Sequence, residues 1–315
     1  MNSIIFETAF QQGFLYVFAV FGIVISFRLM NFPDLTVDGS FTLGGAVVAV
    51  LLSNGYSIAF SISIAIIAGF LAGVTTALLN RKLGISKILS GILVMLILYS
   101  VNLRIMGKAN TSLLRTNTLF SPFESLDNII LLLFLFAVAA IVLLGLLYLT
   151  TTKLGLFIRA TGDNEFMVRS KGINTNWVFI IGIGLSNALI AFSGAMVAQS
   201  QGFSDVSMGI GMIITALAAL IIGESFVSVI QTIKRLFKKK SEIENKNKSY
   251  LPWDTFNEFF GAILGSFLYF LIIAICLQLG LAPTDLKLAT GILVIVGIAL
   301  RFKKTTSETY QKAKL

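Results

Sequence analysis

The stretch "NFPDLTVDG", residues 31–39, places a proline, two aspartates, an asparagine and a threonine between two apolar segments. Pro33 lacks a backbone N–H and therefore ends a helix. The next apolar segment, 40–53, offers about 14 helical residues before Asn54 and Gly55, or roughly 21 Å, whereas a bilayer core is about 30 Å thick. We therefore expect the stretch to dip into the membrane, where irregular backbone must be covered by protein or line a water-filled cavity.

The composition indicates an integral membrane protein. Of 315 residues, 56% are hydrophobic and 12% are charged, whereas soluble domains carry about 25% charged residues. We predict an all-α, polytopic fold with about eight or nine transmembrane segments. Because there is no histidine and only one cysteine, Cys276, disulfides, zinc sites and histidine-based acid/base chemistry are excluded. The apolar segments lie at about 9–29, 40–53, 57–79, 87–103, 128–149, 177–200, 208–223, 257–279 and 285–300.

The positions of the basic residues predict the orientation in the membrane. Cytoplasmic loops of membrane proteins are enriched in Lys and Arg. We therefore expect the N-terminus outside and the C-terminus in the cytoplasm. The net charge of +9 then follows mostly from topology, so nucleic acid is not an expected partner. Of the 24 Lys and Arg residues, this orientation leaves outside only Arg104, Lys108, Arg115 and Lys287.

Two halves of the chain resemble each other. "SKILSGILVMLILYSVNLR" (86–104) and "LKLATGILVIVGIALRFKK" (286–304) share a lysine followed by Gly-Ile-Leu-Val. Each follows an apolar segment with two glycines four residues apart and, before that, a short apolar segment. Because the two "GILV" helices run in opposite directions, we predict inverted-topology halves with short broken helices. The predicted divisions are 1–104, the first half; 105–150, an external loop and central helix; 151–174, a cytoplasmic loop; 175–301, the second half with a basic insert at 231–256; and 302–315, a cytoplasmic tail.

Paired short helices in two inverted halves point to a substrate pathway. The counterpart of the first stretch is "QGFSDVSMGIG", residues 201–211. Alternative roles exist: Asp38 or Ser40 could cap the short helix, Asp34 could be solvated in the cytoplasm, and Asp205 could be exposed near the outer face. The candidate pathway residues are Asn31, Asp34, Thr36, Asp38, Ser40, Ser204 and Asp205.

The cytoplasmic loop "TTKLGLFIRATGDNEFMVRSKGIN", residues 151–174, predicts a second site. Its central part, 159–172, is expected to form a short helix with Asp163 or Asn164 as N-cap. The loop also carries apolar residues, Phe166 and Met167 among them, and apolar residues exposed on a soluble face need a partner surface. A solvated basic loop is the alternative, and we favour docking to a partner.

This loop, with "NFPDLTVDGSFTLGGA", "ALIIGES" (219–225) and "LQLGLAPTDLKLATGILV" (277–294), resembles a known family. The chain is similar to permeases of ATP-binding-cassette importers of the branched-chain amino acid and ribose type. It resembles most the subgroup that works with lipoprotein-type, tryptophan/tyrosine-like binding proteins. The insert 231–256 is longer than that subgroup suggests, and it could bind anionic lipid, flank the ATPase or be solvated.

The resemblance implies a multi-pass protein of the cytoplasmic (inner) membrane that acts by alternating access. Two permeases, identical or similar, would form one pathway with two cytoplasmic ATPase subunits and an extracytoplasmic binding protein. ATP would bind the partner ATPase, and this chain would bind no cofactor and no metal. The resemblance assigns ATPase coupling to Arg159, Ala160, Gly162, Asp163, Asn164, Phe166, Met167, Arg169 and Gly172.

Two other classes of function compete with this interpretation. An ion-coupled secondary transporter of a small polar solute would share inverted halves and broken helices, although Asp34 and Asp38 are the main carboxylates expected at membrane depth. A membrane enzyme would need a nucleophile–base pair, a metal cluster or a phosphate-binding loop, and the sequence predicts none. Because the sequence has no G-x-x-x-x-G-K-[ST] motif, any ATP hydrolysis must come from a partner.

Overall fold

The computed structural model of the chain describes residues 2–114, 116–123, 128–237 and 253–282, with 285, 286, 288–292 and 295. In chain order the elements are α1 (Asn2–Ile23, continued by a π-helical segment, Val24–Leu29), α2 (Val37–Ser53), α3 (Ile58–Leu83), α4 (Lys87–Met106), β1 (Asn110–Ser112), a 3-10 turn (Ser121–Phe123), α5 (Asn128–Thr151), α6 (Lys153–Asp163), α7 (Glu165–Ser170), α8 (Thr175–Gln201), β2 (Phe203–Asp205), α9 (Met212–Phe237) and α10 (Trp253–Gln278).

The described residues contain six helices long and apolar enough to cross a membrane. Together with the element order, they confirm a helical, polytopic fold. Eight or nine crossings stays a prediction, as does the inverted relation of the halves. The six spans are Phe6–Leu29, Ile58–Leu83, Lys87–Met106, Asn128–Thr151, Thr175–Gln201 and Thr255–Gln278.

α2 is too short to span a bilayer in a straight line, whereas α9 runs for 26 residues, longer than the predicted segment 208–223, and only its first part is apolar. α2 has 17 residues, about 26 Å at 1.5 Å per residue, and the apolar part of α9 is Met212–Ser228. α2 begins three residues earlier than the predicted segment, because Val37, Asp38 and Gly39 are already helical. Half of the predicted segment 285–300, more than half of the insert 231–256 and the whole tail 302–315 lie outside the described residues.

α1 and α8 form the centre of the fold. Within their most apolar windows, 67% and 72% of residues are buried, whereas α5 is only 11% buried and presents most of its surface outward. α8 packs against α1, α2 and α3, while α10 packs against α1 and α9. The first and second halves of the chain are therefore interleaved instead of standing side by side.

Glycine permits the close approach of α2 and α8. A Cβ added at Gly44 would overlap the carbonyl of Ala191, and one added at Gly194 would overlap the carbonyl of Phe41. Small residues at such crossings let helix backbones approach closely, which is how helices associate in lipid. A buried hydroxyl adds to the packing around α8, because the hydroxyl of Ser193 donates to the carbonyl of Leu15 at 2.7 Å.

Two short strands were not predicted from the sequence. β1 and β2 pair antiparallel, with Thr111 opposite Ser204. They join the segment after α4 to the segment after α8. Three residues are too few to produce a recognisable alternating pattern, so this pairing depends on contacts distant in sequence.

We expect Gly44→Leu to destabilise the fold, because the new side chain has to occupy space held by the α8 backbone. Overpacking a core costs about 1–3 kcal/mol. Thermal unfolding of the detergent-purified protein measures the effect. Gly145→Leu is the matched control, since a Cβ there meets no atom of the described residues within 4 Å. Equal unfolding temperatures for the two variants would contradict this account of the crossing.

Candidate functional site

Asp34 lies inside the protein, with 2% of its surface exposed. One carboxylate oxygen accepts from the side-chain amide of Asn187 at 2.6 Å. The other accepts from the backbone N–H of Thr36 at 2.9 Å. The alternative that Asp34 is a solvated cytoplasmic carboxylate is therefore wrong, because α8 covers loop 31–36 and supplies the amide that pairs with it.

Four more polar contacts complete what we call the Asp34 cluster, namely Asp34, Thr36, Ser40, Thr76 and Asn187. The hydroxyl of Ser40 donates to the Asn187 carbonyl oxygen at 2.7 Å. The hydroxyls of Thr36 and Thr76 are 2.6 Å apart. The Asn187 amide also donates to the backbone carbonyl of Ile183 at 3.0 Å. The Thr76 hydroxyl donates to the backbone carbonyl of Ala72 at 3.2 Å. The cluster joins loop 31–36, α2, α3 and α8, and it satisfies the hydrogen-bonding groups that burial requires to be paired.

Sequence reasoning missed Thr76 and Asn187. Each is a polar residue within a long apolar helix, and nothing local identifies its partner. Polar residues within membrane helices commonly hydrogen-bond across helix interfaces. That general signal could have flagged Asn187 as a candidate, though not its pairing with Asp34.

Asp38 caps a different helix from the one predicted. Its two carboxylate oxygens accept from the backbone N–H groups of Gly211 and Ile213, both at 2.9 Å. These groups lie at the N-terminus of α9. The expectation that Asp38 or Ser40 caps α2 is therefore wrong, because both side chains bond to residues of the second half. Since Thr42 also accepts from the N–H of Gly209 at 3.0 Å, the first turns of α2 meet the segment that leads into α9.

The other candidate pathway residues lie apart from the Asp34 cluster. Asn31 is exposed and has a φ of 49°, and its carbonyl accepts from the Lys87 ammonium at 2.9 Å. Ser204 is buried beside Gly45, farther along α2. Asp205 is half-buried instead of fully exposed, and the hydroxyl and backbone N–H of Ser207 hold the pKa of its carboxyl below the usual value. The structure thus brings together only Asp34, Thr36 and Ser40 of the predicted set.

The predicted cytoplasmic loop, residues 151–174, forms two helices where one was predicted. Arg159, Ala160, Gly162 and Asp163 belong to the end of α6, and α7 begins after Asn164. The side chain of Asn164 accepts from the N–H of Met167 at 3.0 Å, which confirms Asn164 as an N-cap. Gly172 follows α7 with a φ of 77°, a left-handed conformation that glycine adopts without strain.

α7 presents apolar side chains to its surroundings. Phe166 is 82% exposed and Met167 is 54% exposed, whereas Val168 between α7 and the body of the protein is buried. Exposed apolar residues grouped on a polar loop are typical of a surface that docks a partner. This exposure favours docking over the solvated-loop alternative.

Glu165 holds α7 against the membrane helices through Arg81 of α3 and Thr175 of α8, and it also pairs with Arg169 within α7. The carboxylate of Glu165 accepts from Arg81 of α3 at 2.7 Å and from Arg169 at 2.9 Å, and from the hydroxyl of Thr175 at 3.0 Å. Partial burial alone would raise the pKa of Glu165, but these donors, Arg81 first, hold it below the usual value. α6 is held separately, because Arg159 donates to the hydroxyl of Thr255 of α10 at 2.7 Å.

Comparison with known proteins agrees with this arrangement. The sequence profile of the family described as "Branched-chain amino acid transport system / permease component" matches residues 5–299. The chain belongs to this family. This permease is 37% identical to the tyrosine transport system permease protein of Clostridioides difficile over 99% of its own length and 97% of the relative's. It is 25% identical to the ribose import permease protein of Escherichia coli over 60% of each chain. No solved structure matches it.

We expect Asn187→Ala to destabilise the permease, because it removes one of the two hydrogen bonds to the buried Asp34 carboxylate and leaves the Ser40 hydroxyl without its partner. Leaving such groups unsatisfied costs about 1–3 kcal/mol, and more for a charged group. Thermal unfolding in detergent measures the loss. Asn176→Ala, at an exposed position near the start of the same helix, serves as the control. A loss no larger than the control's would show that the cluster does not stabilise the fold.

Proposed function

We propose that this chain is the membrane-spanning permease subunit of an ATP-binding-cassette importer that moves an amino acid-like solute inward. The observation that carries the proposal is α7, a short capped helix whose Phe166 and Met167 are exposed. Such a surface suits an ATPase subunit that pushes on the permease. Similarity to a tyrosine transport permease over nearly the whole chain supports an aromatic amino acid as the solute.

The proposed assembly has two permeases, identical or similar, with two ATPase subunits on the cytoplasmic face and a lipoprotein-type binding protein outside. The basic residues near α7 support this orientation, since Arg81 and Arg169 lie around Glu165 and Arg159 lies on the adjacent helix. The paired strands β1 and β2 follow the C-terminal ends of α4 and α8, and the N-terminal end of α8 is the one that contacts α7. They accordingly face the outside in this proposal, with the N-terminus outside and the C-terminus inside.

The inverted relation of the two halves also belongs to the proposal. α2 and the apolar first part of α9, Met212–Ser228, hold corresponding places in the order of helices, and Asp38 of α2 caps α9. α3 packs on α8, and α10 packs on α1, which is the exchange of partners that a two-fold relation between halves requires. The glycine pairs differ, however: Gly69 and Gly73 face α8, whereas Gly265 faces α9. The likeness therefore holds for helix order more than for individual contacts.

Alternating access gives the pathway residues their proposed role. Asp34, Thr36 and Ser40 are buried and paired in this conformation, so in the proposal they position the start of α2 and do not face the solute. Binding of ATP to the partner subunits favours a second packing of the same helices, and solute favours one packing over the other. Transport then follows from repacking α2 and α9 where their N-termini meet.

We expect Phe166→Ala to reduce ATP-dependent uptake of tyrosine, because truncating an exposed aromatic anchor weakens docking by roughly tenfold or more. Proteoliposomes with the permease, the ATPase subunits, the binding protein and internal ATP measure the uptake. Phe136→Ala is the matched control, since Phe136 is 59% exposed and belongs to α5, outside the loop 151–174.

The same preparation separates this proposal from an ion-coupled transporter. Uptake should continue when an ionophore collapses the ion gradients, provided that ATP is present. Uptake that proceeds without the ATPase subunits, or that stops with the ionophore while ATP remains, would overturn the proposal.

A further inference from the structure

Arg81, at the cytoplasmic end of α3, contacts both α7 and α8. One guanidinium nitrogen donates to the carboxylate of Glu165 at 2.7 Å. The central guanidinium carbon lies 3.9 Å from the centre of the Phe179 ring on α8. Only 17% of the Arg81 side chain is exposed. The Arg81 side chain is therefore packed between α7 and α8.

Phe179 contacts the loop that begins the short helix α2. Its ring centre lies 5.2 Å from that of Phe32, with the two rings nearly perpendicular at 81°. Neither ring is more than 2% exposed. The backbone of Phe32 is fixed as well, because its N–H donates to the carbonyl of Ser26 at 2.8 Å.

A continuous chain of contacts thus runs from α7 to the Asp34 cluster. We call Glu165, Arg81, Phe179 and Phe32 the Arg81 linkage. Phe32 lies two residues before Asp34, whose partner Asn187 is on the same helix as Phe179. The surface proposed to dock the ATPase is therefore joined to the irregular backbone that starts α2.

The chemistry of arginine suits this position. A guanidinium group is planar, so it donates in its plane to a carboxylate while its face covers an aromatic ring. A lysine ammonium has no such face. Because buried rings are close-packed, moving one of them leaves a void or forces its neighbour to move. A shift of Glu165 would therefore disturb the packing of Phe179 on Phe32.

A second contact joins α6 to the residue that ends the π-helical segment, just before loop 31–36. A Cβ added at Gly162 would overlap the carbonyl of Leu29, just before loop 31–36. This contact does not involve Arg81. Changes at Arg81 should therefore loosen the loop without detaching it from the cytoplasmic helices.

We infer that Arg81 is a positioning residue that transmits movement of α7 to loop 31–36 through Phe179 and Phe32. The contacts of the Arg81 linkage lie within this chain, so the inference about them does not depend on which solute is transported. The consequence for transport rests on the proposed function: without the linkage, ATP hydrolysis would continue while the start of α2 no longer followed α7.

Hydrogen exchange on the purified full-length permease tests the linkage directly. The reporters are the N–H groups of Phe32 and Thr36, which are both bonded in the structure. Glu165→Gln and Arg81→Gln should each speed exchange in a peptide covering 31–36 by about fivefold or more, the lower end of typical coupling between sites. Arg104→Gln is the control, because Arg104 makes no ion pair with any residue that the structure describes.

A double-variant comparison distinguishes a linkage from separate effects. If the contacts act in series, adding Glu165→Gln to Phe179→Leu should change the exchange rate no further. Exchange that is unchanged in Glu165→Gln, or effects of the two substitutions that multiply, would overturn the inference.

Proteoliposomes with the ATPase and binding protein test the consequence for transport. Arg81→Gln should lower solute uptake per ATP hydrolysed by about fivefold or more, with ATP hydrolysis retained. If uptake and hydrolysis fall together, Arg81 is only structural and the inference fails. If the unaltered permease shows no ATP-dependent uptake, the proposed function fails, whereas the exchange measurement still decides the linkage.

Discussion

The hydrogen bond between Asp34 and Asn187 is the contact on which the arrangement of the first half depends. A chain in a bilayer cannot leave irregular backbone or a carboxylate unpaired in hydrocarbon, because each unsatisfied group costs several kcal/mol. Loop 31–36 breaks the helical pattern with Pro33, and α8 supplies the amide that satisfies the carboxylate at 2.6 Å. Because loop 31–36 ends inside the protein, α2 begins at Val37 and has only 17 residues. Its first turn then lies against the start of α9, where Asp38 bonds to Gly211 and Ile213.

Two kinds of contact then determine how the permease can move. Glycine and small residues bring α2 and α3 close to α8, which makes that part of the fold tightly packed. The contacts that hold α7 are polar and local, since Glu165 alone accepts from Arg81, Arg169 and Thr175. The proposed function requires this arrangement, in which the membrane helices are closely packed and α7 is held to them by a few polar contacts.

Patterns within one segment were predictable from the sequence, and pairings between segments were not. Hydrophobic length located the described membrane helices, and the shortness of α2 followed from Pro33 and Gly55. Asn164 was among the predicted N-caps because a cap bonds within its own turn. The cap that Asp38 forms on α9 was not predictable, because its partners, Gly211 and Ile213, are remote in sequence. Asn187 was missed for the same reason, and β1 and β2 are too short to leave a pattern.

We propose that residues 31–39 lie within the membrane, where α8 covers them. A structure of the assembled transporter in a lipid nanodisc tests it most directly. We predict that the Asp34 carboxylate lies within the hydrocarbon thickness and bonds to the Asn187 amide. An Asp34 side chain beyond the headgroups and in contact with bulk water would contradict the account.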